Sequence, residues 1–195
     1  TIESNSEKMR KLLKQANNDI FGILEFDNRV IYEPIVQAPD NDYYVRKNIK
    51  KEYANAGIPF VSAEWNIDSK NVVIYGHFSK WNNIIFTPLM NYVNQSYYKD
   101  HPIFHFTTEN ETRTYQIFAV LNVDLNNLDD SLEFTQSNWD SNNAFNAFIS
   151  DSINRELYKT GVNVDSEDKI MTLVTCATRD NNKRIFEIAE KDIIT

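Results

Sequence analysis

Ile170-Met171-Thr172-Leu173-Val174-Thr175-Cys176, followed by a short polar connection and then Lys183-Arg184-Ile185-Phe186, is the stretch whose reading decides the fold. The first run is apolar and β-branched, and it delivers the only cysteine of the chain to its end. A second apolar run extends from Arg184 to Ala189. Two such runs joined by the polar segment Ala177–Lys183 predict adjacent strands. That arrangement sets a thiol and a guanidinium at the same end of one sheet.

Working outward, the same grammar recurs along the chain. Ile20–Phe26 and Val30–Val36 are strand-like and joined by Asp27-Asn28-Arg29, with Pro34 predicting an edge strand or a bulge. Ile58-Pro59-Phe60-Val61 is a short strand, and Asn71–Tyr75 a buried one that ends at Gly76-His77. Ile103–Thr107 and Thr112–Leu121 alternate as strands. Three helices are expected. Met9, Leu12, Leu13 and Ala16 form an apolar stripe on a segment expected to pack on the body of the protein. Phe86–Tyr98 carries apolar residues at 86, 89, 90, 93 and 97, with Pro88 early. Ala144, Phe145, Phe148, Ile149, Ile153 and Leu157 mark the third, ending near Gly161. Many short strands with few helices predict an antiparallel-rich barrel or sandwich decorated by helices.

With 195 residues the chain suits one good core. The expected organisation is a helical segment over 1–19 packing on a barrel over 20–195, as a single domain. A net charge of −8 argues against nucleic acid or an anionic membrane surface as the main partner. One cysteine excludes an intramolecular disulfide framework. Only four glycines occur, and Asn pairs such as Asn82-Asn83 and Asn142-Asn143 take over turn positions.

Three side chains carry candidate chemistry. A free cysteine is ordinarily a buried, inert core residue, but Cys176 at a strand end near an arginine has a reactive reading as well. His77 follows an apolar strand and a glycine, at a loop where side chains can converge; its other reading is a turn histidine. Arg184 is either a charge-assisted donor for a developing oxyanion or a strand-edge ion pair. His101 and His105 flank Pro102-Ile103-Phe104 on a strand, where i and i+4 lie far apart, so no metal site is expected there.

Tyr75-Gly76-His77 together with Thr172-Leu173-Val174-Thr175-Cys176 and Arg184 resembles the sortases, the cysteine transpeptidases of Gram-positive cell surfaces. Ile31–Gln37, Asp40–Val45 and Ala56-Gly57-Ile58-Pro59-Phe60 resemble class B members in particular. The resemblance implies a mainly β fold: an eight-stranded sortase-type β-barrel with an N-terminal helix and a long helix before the last two strands. It implies Cys176 as nucleophile, His77 as general acid/base and Arg184 as oxyanion stabiliser, helped by the backbone N–H of Ala177. Asn41, Val45 and Val174 are the substrate-binding positions carried over, and the connection Asn122–Asp140 is expected to wall the groove. No cofactor and no metal are implied. The implied partners are secreted proteins bearing an LPxTG- or NPxTN-like sorting signal, and a peptidoglycan amine. The implied location is the outer face of a Gram-positive membrane, through an N-terminal anchor upstream of a chain that starts with Thr rather than Met. A pilin polymerase with a lysine acceptor, and a non-catalytic surface β-domain, are the rival readings. Phe78 stands after the histidine where polar residues are common in the family, and the turn before Arg184 is short and contains Arg179 and Asp180.

Overall fold

The computed structural model describes residues 3–66, 68–79, 81–124, 133–176 and 183–192, with residues 124, 133, 176 and 183–192 described by their backbone alone. Eight strands close into a barrel: β1 (Ile20–Phe26), β2 (Tyr32–Gln37), β3 (Phe60–Val61), β4 (Asn71–Gly76), β5 (Ile103–Thr107), β6 (Thr112–Asp124), β7 (Ile170–Cys176) and β8 (Lys183–Asp192). Their order around the barrel is β1-β2-β3-β4-β7-β8-β6-β5, and β5 returns to pair with β1. The expected eight-stranded barrel is the fold observed. All pairings are antiparallel except β2 with β3 and β4 with β7. Pro34 lies opposite Ile23 on β1, and β3 pairs only with Val36 and Gln37, so the proline occupies an uncovered part of β2. There its missing N–H costs no ladder bond.

Strand alternation divides the apolar residues between two cores. Val72, Ile74, Met171 and Leu173 point into the barrel with Leu24, Phe106 and Ile117. Val73, Ile170 and Val174 face the other way, against Phe134, Phe145, Phe148 and Ile149. The last three belong to a helix, Asn142–Arg155, capped where the Ala144 N–H donates to Ser141 Oγ. This helix buries the face expected of it. It stops at Arg155 rather than near Gly161, because Glu156 turns extended and the Leu157 N–H donates to the Val120 carbonyl on β6.

Two helical expectations are corrected. Thr87–Val93 is a 3₁₀ helix, and a separate short helix, Gln95–Asp100, comes after it. The buried residues Phe86, Leu89 and Tyr92 recur every three positions, which is the 3₁₀ period rather than the α period. The first helix, α1 (Asn5–Ala16), does form, with a reciprocal capping box between Ser4 and Glu7. Of its expected face, Leu13 packs, against the cluster that includes Ile20, Val36 and Tyr44, and the rest does not. Met9 and Leu12 are exposed, at 37% and 62%, and Ser6 and Arg10 are the buried residues. The barrel surface beneath decides the matter: Ser6 Oγ donates to Glu25 Oε2 at 2.6 Å on β1. A carboxylate half-covered by a helix needs a donor, and that requirement turns the polar face inward.

Candidate active site

Three adjacent strands meet at one rim. The parallel register between β4 and β7 runs from Asn71↔Ile170 to Gly76↔Thr175. One residue past that last pair on each strand stand His77 and Cys176. On the other side β8 runs antiparallel, with Arg184 opposite Cys176 and, across its far edge, opposite Val123 of β6. The fold therefore brings the backbones of all three chemistry-bearing residues to one end of the sheet. Ala177, Arg179 and Asp180 lie outside the described residues.

His77 is pinned through its neighbours. Its carbonyl accepts the Phe86 N–H at 3.2 Å, and the Ser79 N–H donates to Thr87 Oγ1 at 2.9 Å. The Phe86 ring lies flat on Gly76, where a Cβ would fall 2.3 Å from ring carbons, so only glycine admits this approach. The imidazole is half-buried. Burial, reinforced by the positive charge of Arg46, holds its pKa below the ordinary histidine value.

Beside this rim opens a cleft of about 300 Å³. Val174, Thr175, Tyr75, Gly76 and His77 form its sheet side, and Asn41, Tyr44, Val45, Ala56, Ile58 and Phe60 form its loop side. All three substrate positions read from the sequence, Asn41, Val45 and Val174, line this one cleft. Asn41 Oδ1 accepts the Ala63 N–H at 2.7 Å, so the amide group it offers the cleft is a donor. Of the connection Asn122–Asp140, residues 125–132 lie outside the described residues, and Phe134 is buried against the helix Asn142–Arg155.

Sequence reasoning missed what holds the loop side in place. The Tyr44 hydroxyl donates to Asp19 Oδ2 at 2.6 Å and accepts from Asn17 Nδ2 at 2.8 Å. Asn17 also donates to the Ile49 carbonyl at 2.9 Å, and Lys51 Nζ pairs with Asp19 at 2.8 Å. Burial, with the Asp19 carboxylate beside it, pushes Tyr44 up to about 12, so it remains a phenol with a proton to donate. The Lys51 ammonium, and then the Tyr44 hydroxyl, lower the Asp19 pKa. Gly57, at φ +64°, completes the wall, because a Cβ there would meet the Tyr44 and Val45 carbonyls at 2.5 Å. The available signal was the Tyr43-Tyr44 pair after the Asp40-Asn41-Asp42 turn. The remaining histidines sit elsewhere: His105, on β5, bonds Thr114 of β6 and Asp27 just after β1, and His101 closes the helix Gln95–Asp100.

A closed barrel that brings the backbones of a cysteine, a histidine and an arginine to one rim, beside a cleft lined by His77, fits one class of protein, the cysteine transpeptidases. The family model for the sortase domain matches residues 35–192, and the chain belongs to the sortase family. It is similar to Sortase B of Listeria monocytogenes, 27% identical over 94% of this chain and 73% of that one. The crystal structure of Clostridium perfringens sortase B superposes with a TM-score of 0.86 at 27% identity, covering 94% of this chain and 99% of that one. A Staphylococcus aureus sortase B–substrate complex shares the fold, with a TM-score of 0.87 at 23% identity over 96% and 86% of the two chains. The protein is a sortase transpeptidase of the class B type. As a sortase it is a Gram-positive cell-surface enzyme acting on a sorting-signal substrate and an amine acceptor. Among the described residues no helix is long and apolar enough to cross a membrane.

Proposed function

We propose that Cys176 is the nucleophile, His77 the general acid/base and Arg184 the oxyanion stabiliser in transfer of a sorting-signal peptide, LPxTG- or NPxTN-like, to a cell-wall amine. The Cys176 thiolate adds to the carbonyl carbon of the signal threonine, and the Arg184 guanidinium stabilises the oxygen that becomes negative. The His77 imidazolium gives its proton to the departing amine, leaving a thioacyl enzyme and a neutral imidazole. That imidazole then takes a proton from the incoming peptidoglycan amine as it attacks the thioester, and the thiolate is released. Ala177 N–H is assigned the second oxyanion donor. Asn41, Val45 and Val174 are assigned to the peptide, the first by hydrogen bonding and the others by apolar contact. The preceding membrane anchor and the domain division at residues 19 and 20 belong to the same reading.

The observation that carries this reading is the register: Gly76↔Thr175 and Cys176↔Arg184 are consecutive steps across three neighbouring strands. The protonation states add a rate argument. With ordinary pKa values about 3% of the thiol is thiolate and about 24% of the imidazole is imidazolium at pH 7, or roughly 0.7% for both together. The lowered His77 pKa reduces that fraction, so slow turnover is expected. The test is incubation with a fluorogenic sorting-signal peptide and two acceptors, a cell-wall stem-peptide amine and a pilin-type lysine peptide, followed by mass spectrometry. Cleavage after threonine with ligation to the stem-peptide amine is expected. Exclusive ligation to lysine would assign a polymerase, and the lack of any cleavage product would remove the reading.

A further inference from the structure

A second cavity of about 190 Å³ lies beneath α1, between the start of β1, the start of β4 and the β5–β6 turn. It is separate from the rim: Val72 lines it, five residues before His77, or about 16 Å along an extended strand. One side of it is aromatic. Phe21 meets Trp65 edge-on at 4.7 Å and Phe106 at 5.6 Å between ring centroids.

A buried cation lines this cavity without an ion pair among the described residues, although the carboxylates of Glu109 and Glu111 line it too. Arg10 is 5% exposed, and its Nε–H has no acceptor among the described residues. Its guanidinium forms no ion pair there either, whereas Arg113 at the cavity edge is committed to Glu111. The Trp65 Nε1–H, buried in the same lining, is likewise without an acceptor among the described residues. Lys14, on the next turn of α1, donates its ammonium to the Asn18 and Ile20 carbonyls, so it brings charge without a neutralising carboxylate. Glu109, also lining the cavity, is on the exposed turn.

Guanidinium and indole nitrogens only donate, so the complement they call for is an acceptor bearing negative charge. The walls call for an apolar body. The volume is below that of a drug-sized site and suits one ring or a branched chain. We propose that this cavity is a binding site for a small carboxylate with a flat or branched apolar body, its oxygens on Arg10 and Trp65 and its body between Phe21 and Phe106. The site is distinct from the peptide cleft and takes no part in the transfer chemistry. Occupancy would fasten α1 to the barrel, since Arg10 is on the helix and the aromatic residues are not.

The experiment is calorimetric titration of the protein with benzoate, benzyl alcohol and inorganic phosphate at fixed ionic strength. Benzoate is expected to bind saturably and about ten-fold or more tighter than either comparison compound, the ratio expected of a hydrogen bond to a charged group. Arg10→Met is expected to weaken benzoate by a similar factor while leaving sorting-peptide cleavage unchanged. Its thermal midpoint should hold or rise, because an uncompensated buried charge has been removed. Trp65→Phe keeps the wall and deletes one donor, and a several-fold weakening of benzoate is expected whether or not the Arg10 variant folds. Three results would overturn the proposal: no saturable benzoate binding up to about 10 mM, equal binding of benzyl alcohol or phosphate, or undiminished benzoate affinity in both variants.

Discussion

The two sides of the cleft are held by different physics. On the sheet side, His77, Cys176 and Arg184 are set by backbone register, each one step from its neighbour across β4, β7 and β8. On the loop side, Asn41, Tyr44 and Val45 belong to a turn with no ladder of its own. Four side chains, Asn17, Asp19, Tyr44 and Lys51, fix it from behind. A ladder of many backbone bonds tolerates the loss of one contact. A wall secured mainly by a few side-chain bonds, with the Tyr44 phenol at their centre, is more sensitive to losing one. The residues of the proposed chemistry thus stand on the stiffer support, and the residues proposed to read the peptide stand on the more easily altered one.

Substitutions should expose this division, and the largest effect belongs to the sheet side. Cys176→Ala is expected to abolish cleavage of a sorting-signal peptide, measured by product mass and by the lack of any trapped thioacyl species. Full activity in that variant would end the assignment. Arg184→Lys keeps the charge and loses the planar fork, and kcat/KM should fall on the order of a hundred-fold, as for loss of an oxyanion donor. Near wild-type activity would make Arg184 structural.

The loop side should respond in a different kinetic constant. Tyr44→Phe deletes one hydroxyl and leaves Asn17 and Asp19 facing each other without it. KM for the peptide is expected to rise several-fold with kcat little changed, and stability to fall by about 1–2 kcal/mol. Loss of stability with an unaltered KM would show that the hydroxyl braces the fold and not the cleft.

The smallest effect is a pH shift. In the proposed scheme the active form is thiolate with imidazolium, so kcat/KM rises with pH through the lower of the two pKa values, that of His77, and falls through that of the thiol. Burial and Arg46 lower the His77 pKa, which puts the acid limb below the ordinary histidine value. Arg46→Gln removes the second cause and raises that pKa. The acid limb should move to higher pH by a few tenths of a unit, and the plateau should rise by up to about two-fold. An acid limb that stays in place would mean that another group governs it.

The same division marks what could be read in the sequence. The β7–β8 pair and the end of β4 were legible because β-branched runs state their own conformation, and Gly76-His77 and Cys176 end such runs. The Asn17–Tyr44–Asp19 bonds were not, since the hydroxyl finds partners 27 and 25 residues away and nothing local requires them. Amphipathic spacing in α1 announced two faces, but the choice between them belonged to Glu25 on another element. Phe86–Tyr98 was read with the α period, whereas Phe86, Leu89 and Tyr92 obey the tighter one.

The parallel pairing of β4 with β7 has a kinetic consequence. Gly76 and Thr175 are partners separated by 99 positions in the chain, and a parallel pair cannot close as a hairpin. Closing so long a loop is an entropic cost met only when the nearly complete chain is available, and such non-local pairings are slow to form. The ends of β4 and β7 therefore come together late in folding rather than at the start. A chain still under synthesis presents His77 early and Cys176 very late, so the proposed acyl-transfer activity is absent until the chain is nearly complete.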